Sequence, residues 1–240
     1  MQRIHLWSSP RNISTALMYS FAQRPDTSVV DEPLYAYYLT HTQERASHPA
    51  TAAILESQSP DGPTVVQEVQ QATYPTPVVV FKQMTHHLLE LDRSFFDDAY
   101  HVLLVRDPRA ILASYSKVIT ELTAYDIGIP QQQELYEYLR EKEQLHAIID
   151  AKRLLLDPPG VLARLCAQLD LPFTETMLSW PAGARPEDGV WAPYWYSRVH
   201  ESTGFAPYVE REINLRPELE TIADTCLPAY ESWLRDPALC

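Results

Sequence analysis

The sequence predicts an α/β architecture of three layers, with a central and mostly parallel sheet flanked by helices. Short apolar runs rich in β-branched residues alternate with stretches of helical period, the pattern of successive βαβ units. The residues that carry charge and hydroxyls gather just after those runs, where open α/β sheets place their ligands.

Taken in order, Arg3 to Trp7 alternates as a first strand, followed by a polar loop and an amphipathic helix from about Thr15 to Gln23. Ser28-Val29-Val30 is a short second strand closed by Asp31-Glu32-Pro33. The stretch 43–76 is polar and broken by Pro49, Pro60, Gly62, Pro63 and Pro75, as an irregular insertion or cap with short helices would be. Pro77 to Lys82 and His101 to Val105 are the clearest buried strands, and Ala147 to Asp150 is a weaker one. Gln131 to about Gln144 has helical propensity on a solvated face, 158–180 reads as two short helices, and Pro217 to Arg235 as a closing helix. No repeat or linker interrupts 1–240, so one domain is the simplest expectation.

At 240 residues with 45% hydrophobic content, the chain can bury a substantial core without disulfides or structural metals. Asp and Glu number 32 against 19 Lys and Arg, a formal charge of −13. That balance argues against nucleic-acid and anionic-membrane partners, which demand a cationic footprint. Cys166, Cys226 and Cys240 are far apart and form no CxxC pair, which disfavours a zinc site or disulfide framework. No apolar run approaches the about 20 residues of a membrane span. The start, Met1 to Trp7, lacks the apolar region of a secretory signal, so a cytoplasmic location is expected. The six glycines (62, 128, 160, 183, 189 and 204) permit neither GxxxxGK[ST] nor GxGxxG.

Two segments carry the chemistry. Trp7-Ser8-Ser9-Pro10-Arg11-Asn12-Ile13-Ser14-Thr15-Ala16 joins the first strand to the first helix. Such a turn aims backbone N–H groups and a helix dipole at one point, and so attracts anions. Ser14 or Thr15 is expected to cap the helix, while Ser9, Asn12 and the remaining hydroxyls offer donors and Arg11 a planar cationic fork. Arg106-Asp107-Pro108-Arg109-Ala110-Ile111-Leu112-Ala113-Ser114-Tyr115 leaves the fourth strand, with Asp107 as N-cap, Pro108 in the first turn and Ser114 about two turns on.

Together these segments resemble the sulfotransferases that use 3′-phosphoadenosine-5′-phosphosulfate (PAPS). In that family a P-x-S-G-T-T type loop holds the 5′-phosphosulfate and an R-[DN]-P-x-x-x-x-x-S segment the 3′-phosphate. Pro10 to Thr15 matches the first, and Arg106-Asp107-Pro108 through Ser114 the second. Asp157-Pro158, Val161 to Cys166, Leu171-Pro172-Phe173 and Met177 to Trp180 extend the likeness toward residue 180. The resemblance implies a P-loop NTPase-like sulfotransferase fold, PAPS as donor, its 3′,5′-bisphosphate (PAP) as product and no metal, while the acidic net charge disfavours polyanionic acceptors and favours a small-molecule alcohol, phenol or amine. Ser9, Arg11, Asn12, Ser14, Thr15, Arg106 and Ser114 are the implied donor-binding residues.

This chain departs from the family pattern at three places. Ile13 replaces the loop glycine, and a β-branched residue resists positive φ, so the loop must take another path. Arg11 stands where many members carry lysine. The C-terminal R-K-G clamp is missing, with Ser202-Thr203-Gly204-Phe205 the only segment near its place. By resemblance Arg11 stabilises the leaving phosphate oxygens and Lys82, at a strand end, supports the sulfuryl group. The general base is drawn from Glu32, His86 and His87, in that order. Tyr35 to Tyr38 and Trp191 to Tyr196 read first as core packing and second as the lining of an acceptor pocket. Two rival readings are a degenerate P-loop nucleotide kinase, which needs the missing glycine and a magnesium site, and a non-catalytic nucleotide-binding protein of the same fold.

Overall fold

All five strands foreseen from the sequence form one parallel sheet of order β2-β3-β1-β4-β5. They are β1 (Gln2–Ser8), β2 (Thr27–Asp31), β3 (Val78–Met84), β4 (Tyr100–Val105) and β5 (Leu145–Asp150). The computed structural model describes residues 1–42, 48–117, 119 and 121–240. The helices are α1 (Ser14–Ala22), α2 (Tyr35–His41), α3 (Thr51–Ser57), α4 (Gly62–Gln71), α5 (Pro108–Tyr115), α6 (Ile129–Glu141), α7 (Ala151–Leu156), α8 (Pro158–Gln168), α9 (Ala192–Trp195), α10 (Ser197–His200) and α11 (Pro217–Trp233).

Period-two alternation divides the strand side chains between two cores. Trp7, Val79, Phe81, Leu103, Val105 and Ile148 pack on one face with residues of α4, α5, α6 and α11. Ile4, Leu6, Val78, Val80, Val102, Leu104 and Ile149 pack on the other with α1, α7 and α8. Each fully buried aliphatic side chain contributes about 1.5–3 kcal/mol, so both faces must be covered for the sheet to persist. A third cluster joins Tyr35, Ala36, Tyr38 and Leu39 of α2 to Trp191, Ala192 and Tyr196.

Residues 158–180 hold two short helices, as expected, α8 and a 3₁₀ helix at Glu175–Leu178, with Pro172 between them. Two local expectations are corrected. Within the 43–76 stretch, of which 43–47 lie outside the described residues, α4 sends Val65, Val66 and Val69 into the sheet core. Its start has the signals of a true helix, since Asp61 accepts from Thr64 N–H and Pro63 sits in the first turn. No side chain caps α1, whose N-cap is Ile13, so neither Ser14 nor Thr15 plays that part.

Among the described residues, no helix is long and apolar enough to cross a membrane, and no group of three or more His, Cys, Asp or Glu could hold a metal. The register sets Ser8 between Met84 and Leu104, and Asp31 beside Lys82. The strand exits therefore share one rim.

Candidate active site

The loop after β1 forms the first corner of that rim. Arg11 has φ 56°, whereas Ile13 has φ −96°. The left-handed residue is thus displaced two positions upstream of the glycine site, which is how the loop tolerates isoleucine. Asn12 fixes this path, its Oδ1 accepting from Ile13 N–H at 2.9 Å and its Nδ2 donating to the Leu104 carbonyl at 3.1 Å. Both ends of that amide are used within the protein. The loop also rests on Gly128 (φ 72°), where a Cβ would come within 3.1 Å of Pro10 Cδ. With no side-chain cap, the first-turn N–H groups of α1 are left for other acceptors. Ser14 is buried in that turn and Thr15 is half-exposed, while Ser9 Oγ is fully buried and makes no hydrogen bond.

The second segment meets the first. Asp107 caps α5 by accepting from Arg109 N–H at 2.8 Å, which fixes Arg106 at the exit of β4. Arg106 donates to the Arg11 carbonyl, and Arg11 Nε donates to Ser114 Oγ at 3.3 Å. Two guanidinium groups thus share one corner. Burial, and then the neighbouring Arg11 charge, disfavour the cationic form of Arg106, with Asp107 and Asp150 opposing. Burial also disfavours the charge on Arg11, and Arg198 of α10 adds a further like charge. Crowded cations beside backbone donors without a side-chain cap are the surroundings that attract an anion.

A second constellation occupies the ends of β2 and β3. Lys82 is 1% exposed, and its Nζ donates to Asp31 Oδ1 at 2.8 Å, Glu32 Oε1 at 2.5 Å and the Tyr196 hydroxyl at 2.6 Å. The Tyr196 hydroxyl donates to Asp31 Oδ2 at 2.7 Å and accepts from Trp191 Nε1 at 3.0 Å. Gly189 N–H donates to Asp31 Oδ2 at 3.1 Å. Burial holds the Glu32 carboxyl above the usual carboxylate range, against the opposing pull of Lys82. The two carboxylates hold the Lys82 ammonium far into its charged form despite burial.

Glu32 itself has φ 39°, an arrangement held by its N–H donating to the Lys82 carbonyl at 2.9 Å and its carbonyl accepting from Gln58 Nε2 at 3.0 Å. Its Oε2 faces His87 Nδ1 at 3.9 Å. His87 stacks on Tyr35 and Tyr38, at 4.7 and 4.5 Å between centroids. Burial keeps His87 neutral and brings His86 down to about 3. Both rings lie beside Glu32 or one residue away, but Glu32 alone of the three acids and bases foreseen is tied to Lys82.

Exits of β2 and β1 are two strand spacings apart, about 10 Å, with β3 between them. Tyr115 lies within electrostatic reach of both Arg11 and Tyr35, and Tyr35 of Glu32, so the two constellations are linked through neighbouring side chains. The 530 Å³ surface groove beside Gln67 and Leu91 is lined by none of these groups. Ser202–Phe205 packs elsewhere, with Ser202 Oγ and the Thr203 carbonyl both accepting from Trp180.

Asp31, Trp191 and Tyr196 were not singled out from the sequence as site residues. Asp31 carried a signal, its position at a strand exit. Tyr196 carried none, since nothing in an aromatic-rich stretch marks which hydroxyl will meet a lysine 114 positions upstream.

Comparison with known proteins accords with this geometry. A family model described as sulfotransferase domain matches residues 1–232. The chain is 37% identical over 231 residues to branched-chain-amino-acid aminotransferase-like protein 2 of Arabidopsis thaliana, covering 96% of this chain and 41% of that relative. The chain therefore spans about two fifths of that relative's length. Among solved structures, the sulfotransferase domain from the curacin biosynthetic pathway superposes with a TM-score of 0.53 at 18% identity, over 93% of this chain and 96% of that one. Mouse sulfotransferase SULT7A1, solved with PAP, superposes with 0.57 at 11% identity, over 95% and 84%. The central parallel five-stranded sheet flanked by helices is the P-loop-like sulfotransferase fold. The chain belongs to the sulfotransferase domain family.

Proposed function

We propose that this protein moves a sulfuryl group from PAPS to a hydroxyl or amine of a small molecule by in-line transfer. The observation that carries the reading is the convergence of Arg11, Arg106 and Ser114 beside the uncapped start of α1. The loop after β1, with the N–H groups of Ser14 and Thr15 and the unpartnered hydroxyl of Ser9, would receive the 5′-phosphosulfate. Arg106 and Ser114 would receive the 3′-phosphate, as the family resemblance implies. PAP bound in SULT7A1, which shares the fold, supports the same donor class.

The acceptor lone pair forms the new bond to sulfur as the bond from sulfur to the 5′-phosphate oxygen breaks, the electron pair staying on the phosphate. Arg11 stabilises that developing charge, and Glu32 Oε2 takes the acceptor proton. A carboxyl with raised proton affinity suits a base working near neutrality. Lys82 is fully engaged by Asp31, Glu32 and Tyr196, so its role here is to orient Glu32 rather than to hold the sulfuryl group directly.

Thermal-shift measurements with PAP, ATP and NAD, made on wild type and Glu32→Gln, test this reading. PAP alone should stabilise both proteins, with a shift that grows with the logarithm of its concentration. With PAPS and a panel of phenols and amines, Glu32→Gln should lower turnover by about 10²–10⁴-fold. Equal stabilisation by magnesium-ATP would point instead to a kinase. Binding of PAP without transfer to any acceptor would point to a non-catalytic binding protein.

A further inference from the structure

Asp31 and Glu32 are consecutive carboxylates that share one lysine, yet their surroundings are unequal. Asp31 accepts from the Tyr196 hydroxyl at 2.7 Å and Gly189 N–H at 3.1 Å on Oδ2 and from Lys82 on Oδ1, while Trp191 Nε1 donates to the Tyr196 oxygen. Glu32 receives Lys82 on Oε1, while its Oε2 stands 3.9 Å from His87 Nδ1, outside hydrogen-bond range. Tyr196 sits at the centre of this asymmetry. Its hydroxyl hydrogen is spent on Asp31, and its oxygen accepts from both Lys82 and Trp191, so the orientation of the hydroxyl is fixed by three partners. The ring also lies under Lys82 Nζ at 4.9 Å.

We propose that Tyr196 is a positioning residue that, by satisfying Asp31, leaves Lys82 balanced between the two carboxylates and directs proton uptake to Glu32 Oε2. The assignment rests on the reading of Glu32 as base and deepens it. The groups facing Glu32 agree. Lys82 from β3 favours its ionised form, Asp31 from β2 opposes it, and the Tyr196 hydroxyl lies close enough to favour it directly. Tyr35 on the following helix is buried, and His87 is held neutral by burial with His86 and His48 as neighbours. Burial disfavours the charged ring of both His86 and His87, so neither supplies a competing cation beside Glu32. Tyr19 lies within reach of Asp31 and donates to Asp188, the residue before Gly189, at 2.6 Å. The segment that carries Gly189 and Tyr196 is thereby anchored to α1 as well as to β2.

Removing the Tyr196 hydroxyl takes a donor from Asp31, draws Lys82 toward it and leaves Glu32 less compensated. Infrared difference titration of the carboxyl band, on the intact protein without acceptor, reads this directly. Wild type should show one buried carboxyl that takes up its proton above the usual carboxylate range, and Glu32→Gln should abolish it. Tyr196→Phe keeps the ring and should move that transition upward by about one pH unit. Trp191→Phe, which removes one donor to the same hydroxyl, should move it the same way by less, and decides the matter if Tyr196→Phe does not fold. A transition that stays in place in these variants, or that survives Glu32→Gln, overturns the assignment. A merely structural Tyr196 would lower the melting temperature without moving the band. PAP should stabilise Tyr196→Phe as it does wild type. Failure of PAP to stabilise wild type overturns the sulfotransfer reading, whereas an unmoved band overturns the Tyr196 assignment alone.

Discussion

Lys82 is the residue on which the interior of the site turns. Moving one ammonium and two carboxylates out of water is costly, and only close mutual pairing offsets that cost. Lys82, Asp31 and Glu32 are 1%, 6% and 7% exposed, so water gives little help. Replacing Lys82 by Met should therefore cost about 3–5 kcal/mol, because two buried carboxylates lose their cation. The sign with pH follows. In that variant both carboxyls bind protons more tightly folded than unfolded, so the loss should be full near neutrality and shrink as the pH falls. Denaturation of the two proteins at neutral and at acidic pH would show it, and an equal loss at both would contradict it.

At the scale of elements, scarcity of glycine has left its mark on the turns. Left-handed backbone is adopted by Arg11, Glu32, Ala50, Glu143 and Asp170, each a position where a non-glycine residue carries strain. Glu143 follows α6 as a Schellman cap: its N–H donates to the Arg140 carbonyl at 3.2 Å and Gln144 N–H to the Leu139 carbonyl at 2.8 Å. It is exposed and far in sequence from the site, so Glu143→Gly should raise stability by about 0.5–1 kcal/mol in denaturant titration. A loss of that size would contradict the strain argument. Arg11 and Glu32, in contrast, carry their strain at the two corners of the rim. The strands and the Asp107–Pro108 cap were legible because each is a local pattern of burial or capping. Position 13 showed that the loop must leave the glycine path, but the residue that would take the positive φ depended on where Asn12 meets the Leu104 carbonyl, a contact 92 residues away. Tyr196 was hidden for the same reason, since a hydroxyl finds its lysine only through the third core cluster.

Across the whole molecule, buried histidines set the response to acid. His101 Nδ1 accepts from Trp7 Nε1 at 3.1 Å and its Nε2 pairs with the Phe96 carbonyl at 3.1 Å, an arrangement that requires the neutral ring. Burial brings His101 down to about 4 and His86 to about 3, and also holds His5 and His87 well below the ordinary value. A group depressed in the folded state contributes stability above its unfolded pKa and loses it as the pH falls. Each such histidine should remove about 1.4 kcal/mol per pH unit below about 6.5. Glu32 acts with the opposite sign, being raised, but is one group against four. Unfolding free energy should fall steeply between pH 6.5 and 4.5, a window set by these shifts. His101→Gln should flatten the slope by about one histidine's share.

On the proposed reading, Arg11 and Arg106 meet at one corner of the rim and hold the 5′- and the 3′-phosphate of a single adenosine bisphosphate. Calorimetric titration of wild type, Arg11→Gln and Arg106→Gln with PAP, adenosine 5′-phosphate and adenosine 3′-phosphate measures that claim. Wild type should bind PAP more tightly than either monophosphate. Arg106→Gln should erase the advantage over the 5′-phosphate, and Arg11→Gln the advantage over the 3′-phosphate, each a loss of about 1.5–3 kcal/mol. If both variants instead bind all three nucleotides as wild type does, or lose affinity for all three alike, the two arginines do not hold separate phosphates.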